Sequence, residues 1–198
     1  MLKSEALQIL EHKIATCRKC QELTELREFN GWKTVPGIGN PNTKIMILGE
    51  APGENEAKEG EPFVGRAGQL LTSIIKAAGW ERQDVFITNI LKCRPPGNRD
   101  PEIEEANNCR KFLDMQIRCI EPKWIICFGR IASINLLGFG PETSIGSLRG
   151  RIHEYNGGIK VICTYHPSYL LRQPSAKKDV WNDLQPVIST LQSKNCTV

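Results

Sequence analysis

The sequence has no long apolar run. No segment approaches the roughly 18 consecutive apolar residues that a membrane-spanning helix requires, which excludes an integral membrane protein. The first residues mix acidic and basic side chains, so they have neither the apolar core of a secretory signal nor the acid-poor composition of a transit peptide. Blocks of like charge and internal repeats are also absent, and the net charge is only +4. We therefore expect a cytoplasmic globular protein.

The length and composition indicate a protein with a full hydrophobic core. The chain has 198 residues, of which 40% are hydrophobic and 24% are charged, values that are ordinary for a globular domain. A chain of this size buries about 70% of its unfolded surface, so a second domain is not required. We expect a single domain over residues 1–198.

Eight cysteines require an explanation, because a cytosolic protein seldom uses disulfides. Cys127 and Cys163 lie in apolar runs, where an isolated cysteine is usually a small core side chain. Four others form two spaced pairs, with two and fifteen intervening residues: Cys17, Cys20, Cys93 and Cys109. A quartet of thiolates binds either zinc or an iron–sulfur cluster, and the spacing alone leaves both open.

Short apolar runs alternate with helical patterns along the chain. The predicted strands are residues 44–49, 85–89, 124–128, 151–155 and 160–164. The predicted helices are residues 4–16, 67–78, 102–120, 130–137 and 175–193. This alternation indicates an α/β fold, a three-layer α/β/α sandwich with a central, mostly parallel four-stranded sheet.

Ligands of such sheets bind at the carboxyl ends of the strands, where three loops begin here, at Gly49, Asn89 and Tyr165. The first loop is rich in glycine and proline and contains Phe63, whose ring suits a planar ligand; an ordinary turn with this ring packed inward is the alternative. The Asn89 amide offers a donor and an acceptor that can read a base edge, although a strand-end asparagine is usually a turn former. His166 and the apolar residues after it suit a loop that inserts into a nucleic-acid stack.

Three motifs carry a resemblance to a known family. They are Glu50-Ala-Pro-Gly with Gly60-Glu-Pro-Phe-Val-Gly-x-Ala-Gly, then Thr88-Asn89-x-x-Lys-Cys-Arg-Pro-Pro-x-Asn-Arg, then His166-Pro-Ser-Tyr-Leu-Leu-Arg. In this order they closely resemble the family 4 uracil-DNA glycosylases, and the match extends from Cys17 to the final helix. The resemblance implies a DNA repair enzyme that flips uracil out of DNA and hydrolyses its N-glycosidic bond, leaving an abasic site.

The resemblance also implies roles for individual residues in base recognition. Phe63 would stack on the flipped uracil, and Asn89 would accept from uracil N3–H and donate to O4, so that cytosine is rejected. His166 would donate a hydrogen bond to uracil O2, where negative charge develops as the bond breaks. Backbone N–H groups of the loop formed by Glu50, Ala51, Pro52 and Gly53 would add to this stabilisation.

Two carboxylates and two DNA contacts complete the implied site. Ala51 stands where the family 1 enzymes carry an aspartate that positions water, so we expect Glu50 to order the water or the sugar. Glu56 is expected to shape the pocket near uracil C5, and Ala57 replaces an aspartate common in family 4. Leu170 would fill the gap left in the DNA stack, and Arg172 would contact phosphate.

The implied cofactor is a structural [4Fe–4S] cluster held by Cys17, Cys20, Cys93 and Cys109, with no need for a free divalent metal. The expected partner is uracil-containing DNA, single- or double-stranded, with no membrane. A monomer is expected, and sliding-clamp or other repair partners are left open. Two alternatives remain: a covalent uracil-DNA binder, although residues 92–101 contain no histidine to trap the sugar, and a non-enzymatic iron–sulfur or zinc module that binds nucleic acid.

Overall fold

A computed structural model describes residues 2–192. Its six strands form one sheet in the order β1-β3-β2-β4-β6-β5. Their bounds are β1 Ile38–Gly39, β2 Ile45–Gly49, β3 Phe86–Asn89, β4 Trp124–Phe128, β5 Ile152–Tyr155 and β6 Ile159–Thr164. Neighbouring strands among β3, β2, β4 and β6 run parallel, and β1 and β5 pair antiparallel at the two edges.

The predicted fold class is confirmed, but the predicted number of strands is wrong. The four inner strands form the parallel sheet that the apolar runs indicated. The two strands beyond the predicted four are at the edges: β1 has only two residues, too few for a sequence pattern, and β5 is the predicted strand 151–155, which pairs with β6 in a hairpin and extends the sheet. Edge strands face a neighbour on one side only, so they need not carry a continuous apolar run.

Helices cover both faces of the sheet. In the described part of the chain the α-helices are α1 Lys3–Ala15, α2 Gln21–Phe29, α3 Glu54–Glu59, α4 Arg66–Ala77, α5 Ile103–Ile120, α6 Arg130–Leu137, α7 Ile145–Leu148, α8 Pro167–Arg172 and α9 Lys177–Gln192. Short 3₁₀ turns lie at Arg82–Asp84, Pro96–Asn98 and Pro174–Ala176. None of the helices described for residues 2–192 is long and apolar enough to cross a membrane.

Alternate side chains of the buried strands serve two separate cores. In β2, Ile45 and Ile47 belong to one apolar cluster, and Met46 and Leu48 belong to the other. The first cluster includes side chains of α4 and α9, and the second includes side chains of α5 and α6. This division follows from the two-residue repeat of a strand, which sends successive side chains to opposite faces.

Two helices fall where the sequence predicted loops: α3 lies within residues 49–66, and α8 immediately follows His166. α2 and α7 lie in segments for which no helix or strand was predicted. Both α3 and α8 have only six residues, so neither shows the repeated apolar spacing that identifies a helix. The last helix begins at Lys177, two residues after its predicted start. Its predicted last residue, Ser193, lies outside the described residues.

The two isolated cysteines in apolar runs are core side chains, as predicted. Cys127 and Cys163 are fully buried and lie opposite each other on β4 and β6. Burial raises the pKa of Cys127 well above its ordinary value. These thiols therefore fill space between sheet and helices.

Candidate functional site

A cleft of about 600 Å³ opens at the carboxyl ends of β2, β3 and β6. Parallel strands end at the same edge of a sheet, so the loops that follow them converge there. Nine of the residues singled out from the sequence line this cleft: Glu50, Ala51, Pro52, Gly53, Glu56, Phe63, Asn89, His166 and Arg172. Its volume is within the range of cavities that hold small ligands.

Asn89 supplies the polar group at the floor of the cleft. It is the last residue of β3 and only 2% of it is exposed. Its side-chain amide makes no hydrogen bond to any residue between 2 and 192, so both its donor and its acceptor remain available to a ligand. Gly49 provides the room, because a Cβ there would collide with Asn89 Oδ1 and lie 2.6 Å from Phe63 Cζ.

Phe63 is buried against this asparagine in a strained conformation. Its φ of 54° lies in the left-handed region, which a bulky residue adopts only where its surroundings impose it. Arg82 Nη2 donates to the carbonyl oxygen of Pro62 at 2.5 Å, and a Cβ on Gly68 would overlap the Phe63 carbonyl. The Phe63 ring centroid lies 5.7 Å from that of His166, with the rings tilted by 31°.

His166 caps the start of α8, and its contact with Ser168 sets which ring nitrogen carries the proton. The backbone N–H of Ser168 donates to His166 Nδ1 at 3.2 Å, so this nitrogen carries no proton. Burial, with the nearby Arg172 charge, lowers the pKa of His166 to about 4. The ring is therefore neutral near pH 7, and its single proton is on Nε2. Ser168, which the sequence analysis missed, thus prepares Nε2–H as a donor.

Glu50 is half-buried and directly follows β2. Burial, together with the nearby Asp100 charge, raises its pKa to about 7, and Arg130 opposes the rise. A carboxyl group of this pKa exchanges protons near neutral pH, which suits a general base. The backbone N–H groups of Ala51 and Gly53, which follow it, donate to no backbone acceptor within residues 2–192.

Glu56 is on α3 and reaches across the same loop. One of its oxygens accepts a long, 3.4 Å hydrogen bond from Gly65 N–H, and the other lies against Gly53. The side chain therefore bridges the two halves of the loop that carries Phe63. This position is compatible with the pocket-shaping role expected from the sequence.

Leu170 is not where the sequence analysis expected it. Its side chain is fully buried in the core beneath α8, because α8 is a helix and turns this position inward. A buried core side chain is not available to fill a gap in DNA, so the assignment of Leu170 as the inserted residue is wrong for this conformation. The neighbouring Leu171 is 41% exposed, and Arg172 is exposed at the edge of the cleft as expected.

A network of arginine and acidic side chains borders the cleft, and the sequence analysis did not predict it. Arg130 Nη2 contacts Asp100 at 2.8 Å. Arg99 contacts three carboxylates at 2.7 to 3.3 Å: Glu22, Glu102 and Glu105. These three carboxylates lie close enough for a metal ion, but Arg99 already contacts all three of them. The pairs with the exposed Glu22 and Glu102 contribute little stability individually.

The four patterned cysteines line one small cavity, separate from the cleft. Cys17 and Cys20, which follow α1, lie at this cavity together with Cys93 and with Cys109 of α5. No three of these sulfur atoms lie within 4.8 Å of one another, a statement that holds for residues 2–192. Burial raises the thiol pKa of Cys20 and Cys109 to about 11.

Donor groups surround these sulfur atoms. Arg27 Nη1 lies 3.2 Å from Cys93 Sγ, and Asn108 Nδ2 lies 3.7 Å from Cys20 Sγ. The backbone N–H of Lys92 donates to the Cys109 sulfur. Hydrogen bonds of this kind stabilise thiolates, the form that binds metal, so the residues present fit a thiolate-bound metal centre.

The comparisons with known proteins agree on one family. Residues 36–185 match the profile of the uracil DNA glycosylase superfamily. The chain is 40% identical to a type-4 uracil-DNA glycosylase of Archaeoglobus fulgidus, over 92% of each chain. It is 40% identical to one of Thermotoga maritima, over 97% of this chain and 98% of the relative, and 43% identical to one of Saccharolobus solfataricus, over 97% and 89%.

Proposed function

Because the chain belongs to the uracil-DNA glycosylase superfamily, we propose that it is a type-4 enzyme that removes uracil from DNA and leaves an abasic site. The proposal is carried by one arrangement, a buried Asn89 whose amide is unpaired, in a cleft that the Phe63 ring and His166 also line. An unpaired amide in a buried site discriminates strongly, because a base with the wrong edge leaves polar atoms unsatisfied.

Uracil recognition follows from these groups. Uracil N3–H donates to Asn89 Oδ1, and Asn89 Nδ2 donates to uracil O4, while the Phe63 ring stacks on the base. Cytosine presents an acceptor at N3 and an amino group at C4, so both contacts with the asparagine are lost. Glu56 closes the pocket near uracil C5.

The chemical step breaks the bond between N1 and C1′, and the bonding electrons move to the uracil ring. Negative charge develops at O2, where neutral His166 donates from Nε2–H, aided by the free N–H groups of Ala51 and Gly53. Water then attacks C1′, and its proton passes to the Glu50 carboxylate, whose pKa of about 7 suits this transfer. The uracil anion takes up a proton from water and Glu50 returns its proton to water, so free uracil and an abasic site result.

The cysteine quartet holds a [4Fe–4S] cluster in this proposal. Four thiolates serve zinc and iron–sulfur clusters alike. The resemblance to the family 4 enzymes is what favours the cluster over zinc. When bound, the cluster ties α1 to α5 and supplies no step of the hydrolysis.

The deciding experiment uses a duplex with one uracil, incubated with the protein as isolated and then split into two samples. Strand cleavage after alkali together with free uracil supports glycosylase activity. An SDS-stable protein–DNA adduct would instead identify a covalent binder, and neither product would identify a binding module. The Asn89→Ala variant is the matched test of the site, and excision at the wild-type rate would refute base reading by Asn89.

A further inference from the structure

An aromatic pair made of the exposed Tyr169 and the partly buried Tyr165 lies beside the cleft. Tyr169, on α8, is 38% exposed, and its ring centroid lies 4.9 Å from that of Tyr165. The guanidinium carbon of Arg149 lies 4.9 Å from the centroid of Tyr165. The three side chains form one contiguous group, called here the aromatic step. None of them belongs to the uracil pocket described above.

The helical repeat of α8 places Tyr169 at the mouth of the cleft. Ser168 and Arg172, four residues apart, face the cleft, whereas Pro167 and Leu170 are buried. At about 100° per residue, Tyr169 and Leu171 then lie on opposite flanks of the stripe that faces the cleft. Two exposed side chains with large apolar surfaces therefore border the entrance through which a flipped nucleotide passes.

Contacts with two aspartates of α9 hold the aromatic step in place. Arg149 Nε donates to Asp183 at 3.1 Å, and Arg149 Nη2 contacts Asp179 at 3.6 Å. Thr164, which precedes Tyr165, donates from Oγ1 to the same Asp183 carboxylate at 2.7 Å. These contacts occupy the Arg149 charge, so this arginine supports the ring and is not the principal phosphate contact. A fixed ring loses little conformational freedom when it binds a ligand.

We propose that Tyr169, supported by Tyr165 and Arg149, is a second stacking site that binds the base next to the flipped uracil in the same strand. Flipping exposes one face of that neighbouring base, and a tyrosine ring replaces the lost stacking surface. The exposed positive charge of Arg172, three residues away, attracts the phosphate that joins the two nucleotides. This inference rests on the proposed function and extends it to a nucleobase outside the pocket.

The test uses single-stranded oligonucleotides with one uracil, in which the base on its 5′ or its 3′ side is either present or replaced by an abasic analogue. Single-turnover excision is measured against enzyme concentration for the wild type, Tyr169→Ala and Tyr169→Phe. We expect Tyr169→Ala to raise the half-saturating concentration about tenfold, with the maximal rate unchanged, as for the loss of one stacked base. Tyr169→Phe keeps the ring and should remain within about twofold of the wild type.

The abasic substrates separate stacking from a general loss of structure. On the substrate that lacks the contacted base, the half-saturating concentration of the wild type should rise by the same factor of about ten, and that of Tyr169→Ala should rise no further. The proposal would be overturned if Tyr169→Ala raised the half-saturating concentration equally with and without both flanking bases, or did not raise it at all. Phe29→Ala is the control, because Phe29 is 89% exposed at the end of α2 and lines no part of the cleft.

A binding measurement keeps this test independent of uracil excision. Fluorescence anisotropy of the same strands carrying an abasic site in place of uracil reports stacking of the flanking base without any chemistry. A wild-type protein that excised no uracil would contradict the proposed function. The anisotropy comparison of Tyr169→Ala with the wild type would still decide for or against the stacking site.

Discussion

Lys92 Nζ donates to the backbone carbonyl of Asn89 at 2.7 Å from inside the core. The lysine is only 1% exposed and also donates to Thr88 Oγ1 at 2.6 Å and to Gln116 Oε1 at 2.9 Å. The backbone N–H of Lys92 contacts the sulfur of Cys109. Lys92 therefore connects the cysteine cavity to Asn89, the residue that faces the base. The two sites therefore share one buried polar network.

Lys92→Met should destabilise the protein by roughly 3 kcal/mol or more, because three buried acceptors lose their donor and each costs about 1–3 kcal/mol. We also expect slower uracil excision, since the carbonyl of Asn89 is released. Urea unfolding gives the free energy, and single-turnover excision gives the rate. Lys178→Met, at an exposed lysine, is the control. An unchanged unfolding midpoint in Lys92→Met would refute the structural role of this network.

His166→Ala should slow the chemical step by about 10²–10³, the usual effect of losing one donor to a developing anion. DNA binding should change little, because it rests mainly on phosphate contacts. Since the pKa of His166 is lowered to about 4, its ring stays neutral as pH falls to about 4, and only below that pH should its protonation add to the loss of excision that Glu50 causes. His12→Ala, at an exposed histidine, is the matched variant and should behave as the wild type.

Glu50→Gln should remove a pH dependence that the wild type shows. Burial raises the pKa of Glu50 to about 7, so its carboxylate forms as pH rises through 7. Excision should increase about tenfold per pH unit below 7 and level off above it, if the carboxylate accepts the proton of water. Glu50→Gln should be slow with a flat profile, and Glu56→Gln should retain the profile. The reverse pair of results would transfer the role to Glu56.

Serine substitution of any one of Cys17, Cys20, Cys93 and Cys109 should lower iron content and stability, because binding energy at a metal site contributes to folding. The purified wild type should be brown and contain about four irons per chain. Cys127→Ser and Cys163→Ser should retain iron, since both side chains belong to the core. A colourless wild-type protein with one zinc would contradict the cluster and leave the fold unaffected.

The two adjacent leucines of α8 should have opposite effects. Leu170→Ala should destabilise the protein by about 2–5 kcal/mol, as for other buried leucines, because it opens a cavity under α8. Leu171→Ala should keep stability within about 0.5 kcal/mol but slow excision from duplex DNA, where an exposed wedge replaces the flipped base. Thermal unfolding and single-turnover excision separate the two. A duplex-specific defect in Leu170→Ala alone would restore the original assignment.

The sequence by itself determined the sheet and most of the site. Apolar runs identified the four inner strands, because a strand buried on both faces must be apolar throughout. Strand order then brings the residues that follow Gly49, Asn89 and Tyr165 to one edge, so their convergence was predictable. The cysteine spacing likewise singled out four cysteines that line one cavity, but it left open which metal they would bind.

Only the tertiary structure decided which neighbouring side chains face inward. Leu170 and Leu171 are adjacent residues of the same type, yet a six-residue helix buries the first and exposes the second. The same holds for Lys92, since no local pattern indicates that a lysine finds three acceptors within the core. The raised pKa of Glu50 and the lowered pKa of His166 also depend on burial by residues distant in sequence. Local sequence specifies strands and chemical groups, whereas burial and partners arise only when separate segments pack together.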